Sequence, residues 1–408
     1  MSEDSPSLLG RVGRAVNRVY PHVDRDVWLA RRRLETRSAV KELSAFAQTL
    51  GLATIDPTAQ SHLVIAIQHG PDVPNFQVAG GNIFFESYQS AIEVLGPERV
   101  TMFSAGKDEP TDVWQRRLLQ TIADVGATHL LAQVENDPNQ HGVWNWDIVL
   151  PVLSEHWRGA TLGFMFDSAY EWLRIRAHRL GRQSRNLLFV DLCEPIDGLI
   201  RPGQFEVGPI TMPVSQASTA VIDQHVAGLP KEYDVSFIGA LYDYRVELLD
   251  RIRATGLTVA VNPHRPDAAS TYEQSRANQP TYLDYMAGLA RSHTTINFSL
   301  AHGGPHEQYK IRVHEAALVG CICLTDDGDR TRHFYAPNEY AFFPSIEALP
   351  RVIEERLADR DRLAADQRAA ADRAHLLNGS DFWGRVDEGL RRRGLPILTG
   401  LTAPAEPR

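Results

Sequence analysis

The chain has 408 residues, 43% of them apolar and 23% charged, with a formal net charge of −9. That length exceeds one ordinary hydrophobic core and predicts two domains. The acidic balance argues against a general nucleic-acid surface, and no apolar run reaches the roughly 18–20 residues needed to cross a bilayer.

Residues 1–55 read as a helical N-terminal extension. Val27, Leu29, Leu34, Val40, Leu43, Phe46 and Leu50 follow the loose spacing of an amphipathic face. The first twenty residues start acidic and lack a continuous apolar core, so no secretory leader is expected there. Arg11, Arg14, Arg18 and Arg31, Arg32 and Arg33 make this region basic. They offer either peripheral contact with an anionic membrane face or a solvated helical face, because acidic residues are interleaved.

Short apolar runs follow at 62–67, 100–103, 128–133, 161–166 and 186–191, with helical stretches such as 112–124 and 148–156 between them. This alternation predicts a parallel sheet with helices on both faces, a first Rossmann-like domain over 56–212. The mixed stretch 205–231, with Pro209, Pro213 and Pro230, reads as the interdomain connection. A second α/β pattern occupies 213–380. It has strands at 234–239, 257–261, 294–298 and 321–325, and helices at 244–255 and 283–292. A further short helix carries Glu315. Residues 346–393 are nearly all helix formers, and 381–408 form a last helix and tail. The three cysteines are Cys193, Cys321 and Cys323. Cys321 and Cys323 share one face of a strand. They read as small buried apolar residues with too few companions for a metal site, in a reducing, cytoplasmic setting.

In open parallel sheets ligands bind beyond the carboxyl ends of the strands, and the polar candidates gather at such ends. Glu315 opens a small-residue helix that leads through Gly320 into a strand. A carboxylate there can accept hydrogen bonds from both ribose hydroxyls of a nucleotide, while helix-start N–H groups can hold phosphate. The plainer reading is a glutamate complementing the helix dipole. Lys310 and Arg312 are cations at that same helix start, where they oppose the dipole. A departing diphosphate gives them a purpose, although Arg312 and Glu315, three apart, can also simply pair. Gly239 ends a strand and lets backbone approach a diphosphate, which Arg245 can also reach. Asn297 and Ser299 end the next strand. In the first domain Gly80 and Gly81 can present N–H groups to phosphate. Asp167 and His69 stand at strand ends as acceptor ligands or bases. Asp327-Gly328-Asp329 reads as an acidic loop, the alternative being a metal-diphosphate pair.

The segment His306-Glu307-Gln308-Tyr309-Lys310-Ile311-Arg312-Val313-His314-Glu315, with its glutamates spaced as Glu-x7-Glu, resembles the C-terminal half of group-1 glycosyltransferases of the GT-B fold. Tyr282-Leu283-Asp284-Tyr285, Ile296-Asn297-Phe298-Ser299 and the Lys310, Arg312, Glu315 element resemble their spore-maturation-protein-type branch, over about 234–343. The resemblance implies two Rossmann-like domains facing a cleft. It also implies a last helix that crosses back to the first domain, with 376–386 fitting that return. It places Glu307 at the donor sugar as a catalytic carboxylate, and the nucleobase near Thr281, Tyr282 and Leu283. The expected activity is retaining sugar transfer from a nucleotide-diphosphate sugar to a glycan, protein or small-molecule acceptor. No metal or other cofactor is needed if Lys310 and Arg245 neutralise the diphosphate. The alternatives are a sugar-nucleotide epimerase of the same fold and a non-catalytic nucleotide-sugar-binding protein.

Overall fold

The computed structural model describes residues 23–56, 58, 60–67, 83–106, 109–134, 146–166, 171–191, 205–207, 210–239, 241, 243–261, 281–299 and 309–402. The first half contains α1 (Val23–Thr49), β1 (Leu63–Ile67), α2 (Ile83–Leu95), β2 (Val100–Ser104), α3 (Thr111–Asp124) and β3 (His129–Gln133). It continues with α4 (Trp146–His156), β4 (Ala160–Met165), α5 (Glu171–Gln183), β5 (Leu187–Asp191) and β6 (Phe205–Val207). The six strands form a parallel sheet in the order β2-β1-β3-β4-β5-β6. Parallel neighbours need crossover connections, which place helices on both faces. The strands therefore read as continuous apolar runs rather than alternating ones. All six residues of β4 are buried.

On one face of this sheet lie Trp114 and Leu118 of α3, Trp146 and Val149 of α4, and Leu173 and Ala177 of α5. From α1 and the turn after it, Ala39, Val40, Leu43, Phe46, Ala47 and Leu50 join that core. Leu34, expected on its apolar face, is 66% exposed, because it lies before the packed stretch.

The second half contains α6 (Gln216–Val226), β7 (Tyr233–Phe237), α7 (Asp243–Arg253), β8 (Val259–Val261), α8 (Tyr282–Ala290), β9 (Ser292–Asn297) and α9 (Arg312–Leu318). Then follow β10 (Ile322–Thr325), α10 (Gly328–Thr331), β11 (Ala341–Phe342), α11 (Leu349–Leu357), α12 (Arg360–Leu376) and α13 (Gly379–Arg393). Its sheet, also parallel, runs β11-β10-β9-β7-β8. The architecture is thus α/β with two Rossmann-like parallel sheets. The stretch 205–231 is more than a connection: it contributes β6 to the edge of the first sheet and all of α6. A three-residue strand is too short to leave a periodic signature in the sequence.

Two chain crossings between the halves meet on α2. At the first, fully buried Glu86 accepts from Ser215 N at 2.9 Å and from Ser218 Oγ at 2.6 Å. Two turns further along the same face, Glu93 accepts from Gln216 N and Ala217 N, both at 3.0 Å. Two carboxylates seven residues apart thus cap the start of α6, where the helix dipole favours negative charge. At the second crossing Gly379 N donates to Val214 O at 3.1 Å. A Cβ at Gly379 would stand 2.5 Å from Ser90 Cβ, so only glycine fits against α2. Trp383 Nε1 then donates to Ser90 Oγ at 3.0 Å. Beyond it α13 lays Phe382, Trp383, Val386 and Leu390 on the open face of the first sheet.

Glu86→Leu leaves the buried Ser215 N–H and Ser218 hydroxyl without an acceptor. The expected cost is about 2–3 kcal/mol, read from urea unfolding midpoints. Glu93→Leu, whose partners are exposed, is expected to cost under about 1 kcal/mol.

Candidate functional site

Each sheet has one point where chain order reverses. In the second it lies between β7 and β9, which pair directly although β8 intervenes in sequence. Such a switch point leaves a crevice beyond the carboxyl ends of its two strands. Gly239 lies two residues beyond β7, Asn297 ends β9, and Ser299 follows it. Arg245 sits in the first turn of α7, Arg312 begins α9, and Glu315 lies in its first turn. The fold therefore brings six of the sequence candidates to the ends and following turns of the elements around this switch point.

Two guanidinium groups meet there around one ring. The Arg245 carbon Cζ is 5.4 Å from the Phe237 ring centre and 4.9 Å from that of Phe298, and Arg312 Cζ is 5.8 Å from Phe237. Both lie within cation–π range. Arg245 Nε also donates to Tyr244 Oη at 2.9 Å. Gly239 has φ of +146°, in the region that favours glycine, and a Cβ there would meet Arg312 Nη2 at 3.2 Å. Arg312 Nη2 therefore lies against the backbone at the end of β7. Burial disfavours the Arg312 charge, but Tyr285 and Glu315 outweigh it and hold the guanidinium above its ordinary range.

Glu315 is 8% exposed. Its Oε2 accepts from Tyr285 Oη at 2.7 Å, a bond from α8 rather than from its helix neighbour Arg312. Burial pushes the Glu315 carboxyl above its ordinary range, against the opposing pull of the Tyr285 hydrogen bond and the Arg312 charge. Tyr282 is buried in the core and stacks on Tyr285 with ring centres 6.0 Å apart. Its hydroxyl lies within the field of Glu315 but outside hydrogen-bond geometry. Tyr282 thus underpins Glu315 from within the core.

The backbone of α9 differs from the sequence reading. The N–H groups of Val313, His314 and Glu315 are already bonded to the carbonyls of Lys310 and Ile311. Ile311 has helical φ and ψ, so the turn runs continuously into the helix and uses its own donors. These three N–H groups are thus taken up within the turn, and half-buried Lys310 stands immediately before the helix.

At the ends of β9 and β10, Asn297 Nδ2 donates to Thr325 Oγ1 at 3.1 Å, and Ser299 N donates to Asp326 Oδ1 at 2.7 Å. Both residues are buried, and their bonds lace the two strand ends together. Asp327 turns inward and accepts from Arg330 N at 3.0 Å, closing the start of α10. Burial raises its carboxyl above the ordinary range. Among the described residues no group of three or more His, Cys, Asp or Glu side chains could hold a metal ion. Cys321 and Cys323 are buried, and burial pushes the Cys321 thiol up to about 12. Glu307, Asp167, His69, Gly80 and Gly81 lie outside the described residues. The sequence reading missed Tyr285, Phe237 and Phe298. Tyr285 sits three residues after Tyr282, one helical turn on, and that spacing was the available signal.

Residues 244–390 match the family model described as glycosyl transferase-like, a span that holds Arg245, Arg312 and Glu315. Sucrose-phosphate synthase from Thermosynechococcus elongatus superposes on 82% of this chain and 98% of its own, at 14% identity and a TM-score of 0.50. The fold is GT-B. Two other solved structures match with lower TM-scores. The Anabaena protein Alr3699/HepE, solved with UDP and glucose, covers 82% of this chain and 98% of its own, at 12% identity and a TM-score of 0.47. AviGT4, a glycosyltransferase involved in avilamycin A biosynthesis, covers 83% and 98%, at 15% identity and a TM-score of 0.41. No curated protein matches the chain. Among the described residues of this GT-B chain, no helix is long and apolar enough to cross a membrane.

Proposed function

We propose that the chain is a glycosyltransferase of the spore-maturation-protein-type branch, moving a hexose from a nucleotide-diphosphate sugar to an acceptor with retention of configuration. The observation that carries the reading is the pair of guanidiniums, Arg245 and Arg312, gathered around Phe237 and Gly239 at the switch point of the second sheet. Breaking a sugar–phosphate bond builds negative charge on the leaving diphosphate, and preorganised cations lower that barrier. Arg245, Arg312 and Lys310 supply that charge, so the reaction runs without a metal. Glu315 accepts the ribose hydroxyls. Glu307 serves the sugar, and the Glu-x7-Glu spacing supports retention. The acceptor, a glycan, protein or small molecule, enters from the first domain near His69, Gly80, Gly81 and Asp167. The site of action is the cytoplasm, with the basic N-terminal helix available for peripheral contact with a membrane.

Incubation with a panel of nucleotide sugars and acceptors tests this reading. Release of free nucleoside diphosphate together with a glycosylated acceptor is the expected result. Isomerised donor would instead indicate an epimerase, and binding without turnover a non-catalytic protein. The cognate nucleoside diphosphate at a hundredfold excess over its Kd is expected to stabilise the fold by about 2.7 kcal/mol, measured as a raised melting temperature. A panel that shifts nothing overturns the reading.

A further inference from the structure

We infer that Tyr285 is the positioning residue of the nucleotide pocket: it pins one oxygen of Glu315 and turns the carboxylate so that a ribose hydroxyl pair can be read. This rests on the proposed nucleotide site.

The two residues lie on different elements, Tyr285 on α8 and Glu315 on α9, and meet through a 2.7 Å bond inside the protein. Tyr285 is 8% exposed and packs on Tyr282, so its ring cannot swing away without breaking a core stack. A glutamate side chain has three rotatable bonds, and fixing it costs rotamer entropy. The Tyr285 bond meets that cost before any ligand arrives, which is the benefit of preorganisation. A phenolic hydroxyl has one proton to donate, and here it goes to Glu315. The bond therefore also favours the ionised carboxylate, the form that accepts from ribose. The Arg312 charge and the Tyr282 hydroxyl also act on Glu315, but the Tyr285 bond is the one whose geometry directs the carboxylate. The consequence is a division of labour. Arg312 and Arg245 set how strongly a diphosphate is held. Tyr285 sets how sharply ribose is distinguished from deoxyribose.

The experiment compares the wild type with Tyr285→Phe in the full-length chain. Affinities for ADP, GDP and UDP and for their 2′-deoxy analogues are measured by calorimetry, with melting temperature as the check on folding. The variant removes one oxygen and keeps the ring, so the Tyr282 stack survives. The wild type is expected to prefer the best ribonucleotide over its deoxy analogue by about tenfold or more, the range of a hydrogen bond to a charged group. Tyr285→Phe is expected to weaken the ribonucleotide about tenfold and to bring its preference close to one. A merely structural tyrosine would weaken both ligands equally and leave the ratio unchanged, and that result overturns the inference. If Glu315→Gln abolishes the preference while Tyr285→Phe leaves it intact, the positioning role falls and the nucleotide site stands. If the wild type binds none of these nucleotides, the underlying site is wrong and the inference falls with it.

Discussion

Arg245→Ala is expected to lower kcat for sugar transfer by about 10²- to 10³-fold, equivalent to about 2.7–4 kcal/mol of lost transition-state stabilisation. The expectation follows from place and surroundings. Arg245 is half-buried in the first turn of α7 and stands over Phe237 and Phe298 at the end of the switch-point strands. A guanidinium held against rings is already oriented when the diphosphate begins to leave, so little reorganisation is needed in the reaction. Its loss should cost the fold only about 0.5–1 kcal/mol of cation–π contact, which separates a chemical effect from unfolding. Arg245→Lys keeps the charge without the planar fork and should fall between wild type and alanine. Steady-state release of nucleoside diphosphate measures the effect, with a melting curve on each variant. A kcat within threefold of wild type would remove Arg245 from the proposed chemistry.

Trp383→Ala is expected to destabilise the protein by about 3–5 kcal/mol. Trp383 is wholly buried and packs edge-on against Phe382 at 4.9 Å between ring centres. Its indole N–H is satisfied by Ser90 of α2. α13 is the helix that closes the second face of the first sheet, over Phe164, Leu188 and Val190. Removing the ring opens a cavity at the point where the chain returns from the second half, and the glycine contact at Gly379 leaves no slack to refill it. Trp383→Phe retains most of the volume and loses the hydrogen bond, with an expected cost of about 1–2 kcal/mol. Urea unfolding followed by far-ultraviolet circular dichroism gives both values. A loss below about 1 kcal/mol for the alanine variant would mean that α13 does not hold the first sheet in place.

Much of the architecture was legible from local pattern. β3, β4, β5, β7, β9 and β10 are short apolar runs bounded by helices, and each lies where alternation placed it, within one or two residues. Arg312 stood out as a cation against a helix dipole, Glu315 as a carboxylate opening a small-residue helix, and Gly239 as a glycine at a strand end. β6 and α6 were not legible as elements. One is three residues long, and the other carries a weak apolar stripe whose stability comes from packing on α2 and α8. The role of Glu86 was equally hidden. A glutamate in the first turn of a helix reads as a solvent-facing dipole partner. Only the approach of residues about 130 positions away in the chain makes it a buried cap.

The class of the molecule was readable from local pattern: two parallel α/β halves, with a carboxylate and neighbouring cations in the second. Period and composition carry that information because they act within a turn of helix or a strand. Contacts between residues distant in the chain follow from the packing of the whole molecule. That packing gave Glu315 its hydrogen bond from Tyr285 instead of Arg312, set Arg245 and Arg312 around Phe237, and used the α9 N–H groups within their own turn. Those outcomes depend on strand order and on the side-chain packing that follows from it. Strand order in a parallel sheet is set by crossovers between distant segments, which no local pattern records.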